Sequence, residues 1–242
     1  MPEDHFGEDV AATYDDEVAE MLDASTTDAA VEFLAELAGE DGALELGIGT
    51  GRIAIPLARR GVAVSGIDLS SAMVARMRGK PGGSEIPVTL GDFAATRVEG
   101  RFSLAYLVFN TIMNLTTQDE QVACFQNVAR HLEPGGRFVI EVGVPELQRL
   151  PPGETVRAFE ITPTHLGFDE FEVATQGLVS HHYSIRDGKA TVHSIPFRYV
   201  WPAELDLMAR LAGMTFRERW GGWRREPFTA ESSMHVSVWE KS

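Results

Sequence analysis

Three glycines at alternate positions, followed by an aspartate one strand further on, are the residues of this chain best suited to chemistry on a bound nucleoside. The stretch Ala43-Leu-Glu-Leu-Gly-Ile-Gly-Thr-Gly-Arg52 joins an apolar run with one embedded acid, Glu45, to Gly47, Gly49 and Gly51. It reads as strand, tight turn and helix start, and a residue without Cβ lets the backbone turn sharply and lets a ligand lie against it. A second apolar run, 62–67, ends in Asp68, seventeen residues beyond Gly51. A carboxylate at a strand end can accept both hydroxyl protons of a ribose. Dinucleotide-binding turns carry G-x-G-x-x-G and seat a pyrophosphate on the helix N-terminus. Here the spacing is E-x-G-x-G-x-G, so the third glycine comes one residue too early for a nicotinamide cofactor.

The Glu45-Leu-Gly-Ile-Gly-Thr-Gly51 turn resembles motif I of the class I S-adenosylmethionine-dependent methyltransferases. Gly66-Ile-Asp-Leu-Ser70 is similar to that family's acidic motif, and a third run, 86–91, ends in Asp92-Phe93. The resemblance implies a cofactor site built from Glu45, Gly47, Gly49, Gly51, Asp68, Leu69 and Met73, with Gly91, Asp92 and Phe93 at the adenine edge. It adds Tyr14 and Asn110 at the methionine end, and S-adenosylhomocysteine as the product. Asp68 and Asp92 also have plainer readings as local turn caps, although Ser70 and Ser71 suit the N-cap of the helix that follows better than Asp68 does. Three acids and turns in register on successive strand ends converge on the crevice where α/β sheets bind ligands.

The elements that must hold these residues alternate strand and helix from 43 to 142, which predicts a parallel sheet with crossovers. The fourth strand, 102–109, is apolar almost throughout, as a strand buried on both faces should be. It delivers Asn110, Thr111 and Asn114 to the point where the resembled family places the reactive methyl. A helix over 118–132 stops at Glu133-Pro-Gly-Gly136, and the strand after it carries one carboxylate, Glu141, that needs a partner or a pocket. The expected fold is α/β: a Rossmann-like, mostly parallel seven-stranded methyltransferase sheet with the last strand antiparallel. In this single domain, 1–42 forms a helical lid with helices over 10–22 and 27–37, and 43–144 the cofactor core. Residues 145–200 form an antiparallel β insertion over the substrate, and 201–242 complete the core.

Within the insertion three segments, 168–175, 178–186 and 190–199, read as strands, the last two joined by an Asp187-Gly188 hairpin turn. Alternation sends His181 and Tyr183 to one face and His182 to the other. His181, His182 and Glu141 are the candidates for a general base, which a hydroxyl acceptor needs and a neutral amine does not. Asn114, Tyr183, Trp201 and Trp220 are the candidates for substrate contact, Trp201 and Trp220 with Trp223 as an aromatic box. Ordinary packing of the tryptophans competes with that reading.

Composition narrows the partners. A formal charge of −15, from 21 Lys+Arg against 36 Asp+Glu, disfavours nucleic acid, which requires a basic stripe. No apolar run approaches a membrane span, the N-terminus is acidic where a secretory signal would be basic, and one cysteine gives no disulfide framework and no cysteine metal site. These features point to a cytoplasmic enzyme acting on a small molecule, with no metal and with a homodimer left open through the insertion. The predicted activity is methyl transfer to N or O of a small acceptor. The alternatives are a nicotinamide-dependent oxidoreductase and a non-catalytic binder of S-adenosylmethionine.

Overall fold

The computed structural model describes residues 5–8, 10–12, 14, 15, 24–186 and 188–242. Seven strands, β1 (Ala43–Leu46), β2 (Val64–Asp68), β3 (Val88–Leu90), β4 (Phe102–Leu107), β5 (Leu132–Gly143), β10 (Met214–Trp220) and β11 (Met234–Lys241), form one sheet in the order β10-β11-β5-β4-β1-β2-β3. β1 to β5 pair in parallel, and β11 runs antiparallel to both β5 and β10. β4 is buried at all six positions because packed residues cover both faces of the sheet. On one face Phe125 meets Phe138 and Trp239 with ring centroids 5.1 and 5.6 Å apart; on the other, Phe33 of the helix Ala24–Leu37 meets Trp223 at 5.6 Å. Cys124 is buried in the first of these clusters, where burial pushes its thiol pKa upward, as expected of a packing residue.

Local chemistry sets the helix ends. The helix Gln118–His131 opens on a reciprocal capping box between Thr117 and Glu120, and stops one residue short of the expected 132 because Leu132 already pairs with Phe102. The helix Pro202–Leu211 has proline in its first turn and Gly213 at φ 75° past its end. Of the helix expected over 10–22, residues 10–12, 14 and 15 are helical, and 13 and 16–22 lie outside the described residues.

The insertion has four strands, one more than expected: β6 (Val156–Ile161), β7 (His165–Glu172), β8 (Gly177–Arg186) and β9 (Lys189–Arg198), all antiparallel in that order. β6 is an exposed edge strand interrupted by a bulge between Ala158 and Glu160, so neither burial nor strict alternation marks it in the sequence. Asp187 of the expected hairpin turn lies outside the described residues, and Gly188 stands at φ 71° beside the closing pair Arg186 and Lys189.

A buried polar network fastens the insertion to the core. Gln121 Nε2 donates to the carbonyls of Ile112, Leu115 and Arg198 at 3.3, 3.1 and 3.2 Å. Arg198 returns bonds to Gln121 Oε1 at 2.5 Å and to Glu204 at 2.8 Å, with only 5% and 14% of the two charged side chains exposed. Burial alone would raise the Glu204 pKa, but hydrogen bonds from Arg198, Gln176 and Gln118 outweigh it and hold it below the ordinary value. Arg198→Ala removes the cation from this cluster and is expected to destabilise the fold by about 3–5 kcal/mol in urea titrations at neutral pH. Glu204 contributes its stabilisation above the ordinary carboxylate range and loses it as pH falls through its lowered value. The difference between the proteins therefore shrinks in acid, and an undiminished gap there would count against the pair.

Candidate functional site

The C-terminal ends of β1, β2, β3 and β4 open onto one cavity of about 760 Å³, counted with its open mouth. At its centre Asp68 ties two turns together. One carboxylate oxygen accepts Gly49 N–H at 2.6 Å, and the other accepts Ser70 N–H at 2.8 Å. The glycine turn can come this close because Gly47 and Gly49 sit at φ 72° and 54°, in the left-handed region that side chains strain. A Cβ on Gly47 would lie 2.6 Å from Thr111 Cγ2, so the turn after β4 is seated directly against it.

The other walls follow from the strand ends. Leu69, Ser70 and Met73 come from the turn after β2 and the helix Ser71–Arg78, whose N-cap is Ser70. Asp92 and Phe93 follow β3, with Asp92 fixed by accepting Ala94 N–H at 2.8 Å. Thr111, Asn114 and Leu115 follow β4, while His5, Phe6 and Tyr14 close the cavity from the N-terminal side. That segment is pinned to the same turns. Ser70 Oγ donates to the Phe6 carbonyl at 2.6 Å, and Asp15 accepts from Thr50 Oγ1 at 2.6 Å and Lys80 Nζ at 2.9 Å. Burial, reinforced by Asp68, Asp15 and Glu45 against the opposing pull of Arg52, holds the Tyr14 phenol above its ordinary pKa.

Of the expected cofactor residues, Tyr14, Gly47, Gly49, Asp68, Leu69, Met73, Asp92 and Phe93 line this cavity, as does Asn114 among the substrate candidates. The others take different places. Gly51 packs on the helix behind, where a Cβ would fall 2.5 Å from Met77, and a side chain at Gly91 would collide with Thr96. Asn110 turns to accept Gly143 N–H at 2.7 Å. Glu45 lies beneath the glycine turn, accepting Tyr106 O–H at 3.0 Å. His5, Phe6, Ser70 and Leu115 are lining residues that the sequence reading did not single out. Ser70 closes the acidic motif and caps the helix that follows, whereas His5 and Phe6 carry no periodic or motif signal.

The expected bases and the aromatic box are placed elsewhere. Glu141 accepts Phe109 N–H at 2.8 Å and is absent from the cavity lining. His181 stacks on Phe168 and bonds Ser194 Oγ at 2.8 Å, whereas His182, on the opposite face of β8, stacks with His165 and contacts it at 3.2 Å. Tyr183 stacks on Phe168, Trp201 meets Tyr199 edge-on, and Trp223 packs on Phe33 in the cluster that Trp220 borders, so Trp201 stands apart from the other two and none of the three lines the cavity. Local packing of the insertion and the last strands takes up these side chains. Among the described residues no group of three or more His, Cys, Asp or Glu could hold a metal ion, and no helix is long and apolar enough to cross a membrane.

The methyltransferase domain family matches residues 43–136. The CcbJ methyltransferase from Streptomyces caelestis is similar over 99% of this chain and 100% of its own, at 36% identity and a TM-score of 0.88. The cypemycin N-terminal methyltransferase from a Streptomyces species is 29% identical over 206 residues, covering 82% of each chain. The fold also matches that of CalS10, an amino pentose methyltransferase from Micromonospora echinaspora, with a TM-score of 0.73 at 18% identity over 95% of this chain and 97% of that one.

Burial pushes the Glu45 pKa up to about 8, against the opposing Tyr106 hydrogen bond and Arg52 charge. Between the ordinary glutamate value and about 8 the folded state therefore holds a proton that the unfolded state releases. Stability from this group is greatest in acid and declines as pH rises through that window. Glu45→Gln keeps an acceptor for Tyr106 and removes the titration. Its melting temperature should fall less steeply than the wild type's between roughly pH 5 and 8, and parallel profiles would show that Glu45 is ionised throughout.

Proposed function

This chain belongs to the class I S-adenosylmethionine-dependent methyltransferases, and from that premise we propose that it methylates an amine nitrogen of a small-molecule natural product. The observation that carries the cofactor half is Asp68, bonded at once to the glycine turn and to the turn after β2 while facing the cavity. The residues present fit the cofactor: left-handed glycines form a cradle that side chains would fill, next to a carboxylate and an apolar wall. Asp68 would accept the ribose hydroxyls, and Leu69, Met73 and Phe93 would cover the adenine while Asp92 marks its edge. Gly47, Gly49, Tyr14, Thr111 and Asn114 would surround the methionine end. When bound, S-adenosylmethionine supplies an electrophilic methyl on a sulfonium.

The chain's own contribution is then alignment, which is worth up to about 7–11 kcal/mol where reacting atoms are held in line. A neutral amine needs no protein base, which suits a cavity that His181, His182 and Glu141 do not line. One named relative points the same way, the cypemycin N-terminal methyltransferase. An oxygen acceptor is the second member of this reading, and His5 is the lining residue it would call on. The comparisons lend the nicotinamide-dependent alternative no support. The charge of −15 and the single free cysteine favour a cytoplasmic enzyme with a small acceptor over one acting on nucleic acid.

We also propose a homodimer. Ile161, Leu166, Tyr183 and Val192 form one cross-strand row on the insertion and are 76, 40, 37 and 56% exposed. Such an apolar row on a sheet face suits a self-complementary contact. Ile161→Lys with Val192→Lys should turn a dimer into a monomer in sedimentation analysis, and an unchanged mass would place the contact elsewhere.

Calorimetry with S-adenosylhomocysteine tests the cofactor half. Wild type should bind, and Asp68→Ala should bind roughly 10- to 100-fold more weakly, because hydrogen bonds to a charged group are lost. Incubation with S-adenosylmethionine and a panel of amino sugars and short peptides should then show one methylene of added mass on an amine. Binding without transfer to any amine or alcohol would favour a non-catalytic binder.

A further inference from the structure

At the end of β4 the chain takes a conformation that L-residues avoid. Phe109 and Asn110 are consecutive residues at φ 56° and 60°. Asparagine visits the left-handed region readily because its short polar side chain can bond locally, but a bulky aromatic residue does not. Strain of this kind persists only where neighbouring groups over-determine it, and it gathers at ligand sites.

The end of β5 supplies the constraint. Glu141 Oε2 accepts Phe109 N–H at 2.8 Å, and the Glu141 main-chain carbonyl accepts Asn110 N–H at 3.3 Å. Asn110 Oδ1 in turn accepts Gly143 N–H at 2.7 Å. The Arg52 guanidinium lies 5.1 Å from the centre of the Phe109 ring and holds the side chain toward the glycine turn.

What the turn presents is the short helix Thr111–Asn114. Thr111, Asn114 and the next residue, Leu115, line the cofactor cavity, and Thr111 is already as close to Gly47 as the absence of a Cβ permits. Met113, from the same segment, packs on Phe171, Leu178 and Tyr199 at the base of the insertion. A small rotation at Phe109 would therefore move the wall of the cavity relative to both the glycine turn and the base of the insertion.

We infer that Glu141 is a positioning residue: its carboxylate, by holding the Phe109 amide, keeps this turn left-handed and seats Thr111–Asn114 against Gly47, so that the cavity is preorganised for the methionine end of the cofactor. The inference rests on the methyltransferase reading and assigns Glu141 no contact with the reacting atoms.

The test is calorimetric titration with S-adenosylhomocysteine of wild type, Glu141→Gln, Glu141→Ala and the double variant Glu141→Ala with Phe109→Gly, with circular dichroism and melting curves recorded for each. Gln keeps a carbonyl oxygen for the Phe109 amide and should bind within about threefold of wild type, whereas Ala should bind at least about tenfold more weakly. Glycine adopts φ 56° without strain, so the double variant should regain most of the lost affinity. Glu141→Leu is measured alongside, as a second apolar replacement should the alanine variant not fold. A purely structural role predicts lower melting temperatures with unchanged affinity, and that result overturns the inference. So does a glutamine variant as weak as the alanine one, which would assign the effect to charge. A folded wild type that binds no S-adenosylhomocysteine overturns the methyltransferase reading itself, whereas equal affinities across the series overturn the inference alone.

Discussion

The site depends on one carboxylate shared between two turns. Asp68 receives the amide of Gly49 from the turn after β1 and the amide of Ser70 from the turn after its own strand. Parallel pairing of β1 with β2 places the two turns side by side, since Leu46 is in register with Ile67. Buried amides without partners are costly, so a carboxylate in that gap satisfies two of them while presenting its charge to the cavity. The turn reaches Asp68 with Gly47 and Gly49 in the left-handed region, which glycine adopts without strain. Sheet register, turn conformation and ligand chemistry therefore form one constraint.

The same turns also hold the N-terminal segment. Thr50 belongs to the glycine turn and Ser70 to the acidic one, and each bonds to the segment that brings His5, Phe6 and Tyr14 to the cavity. Lys80 adds a cation bonded to both Asp15 and the Thr50 carbonyl, which together with the Thr50 bond outweighs burial and keeps the Asp15 pKa below its ordinary value. Arg76 extends the contact to the Ala12 carbonyl at 3.0 Å. These partially exposed ion pairs and hydrogen bonds are individually weak, whereas the sheet beneath them is held by continuous strand pairing.

What could be read in the sequence follows from how local each signal is. Strands buried on both faces, such as β1 and β4, write themselves as apolar runs, and glycines at positive φ mark turns, so the core strands, the last antiparallel pair and the Gly47–Asp68–Asp92 line were legible. Side-chain destinations were not. Alternation correctly put His181 and His182 on opposite faces of β8, but it carries no information on what each face meets. Phe168 takes up one histidine, and His165 takes up the other. Glu141 was legible as an acid needing a partner. That partner, an amide thirty-two positions earlier in the chain, exists only once β4 and β5 lie side by side. β6 escaped because an exposed, bulged edge strand has neither burial nor strict period to display.

A division of labour between backbone and side chains explains why the cofactor is easier to read than the acceptor. One half of the cavity is made by strand ends and glycine turns, whose geometry is fixed by sheet pairing. The other half is made by His5, Phe6 and Tyr14 of the N-terminal segment and by Thr111, Asn114 and Leu115 after β4, and the insertion packs on that same short helix through Met113 against the Phe171 cluster. A fold of this kind does not by itself choose an acceptor, so the strand-end motifs speak to the cofactor and leave the acceptor to side chains whose partners are set only by tertiary packing.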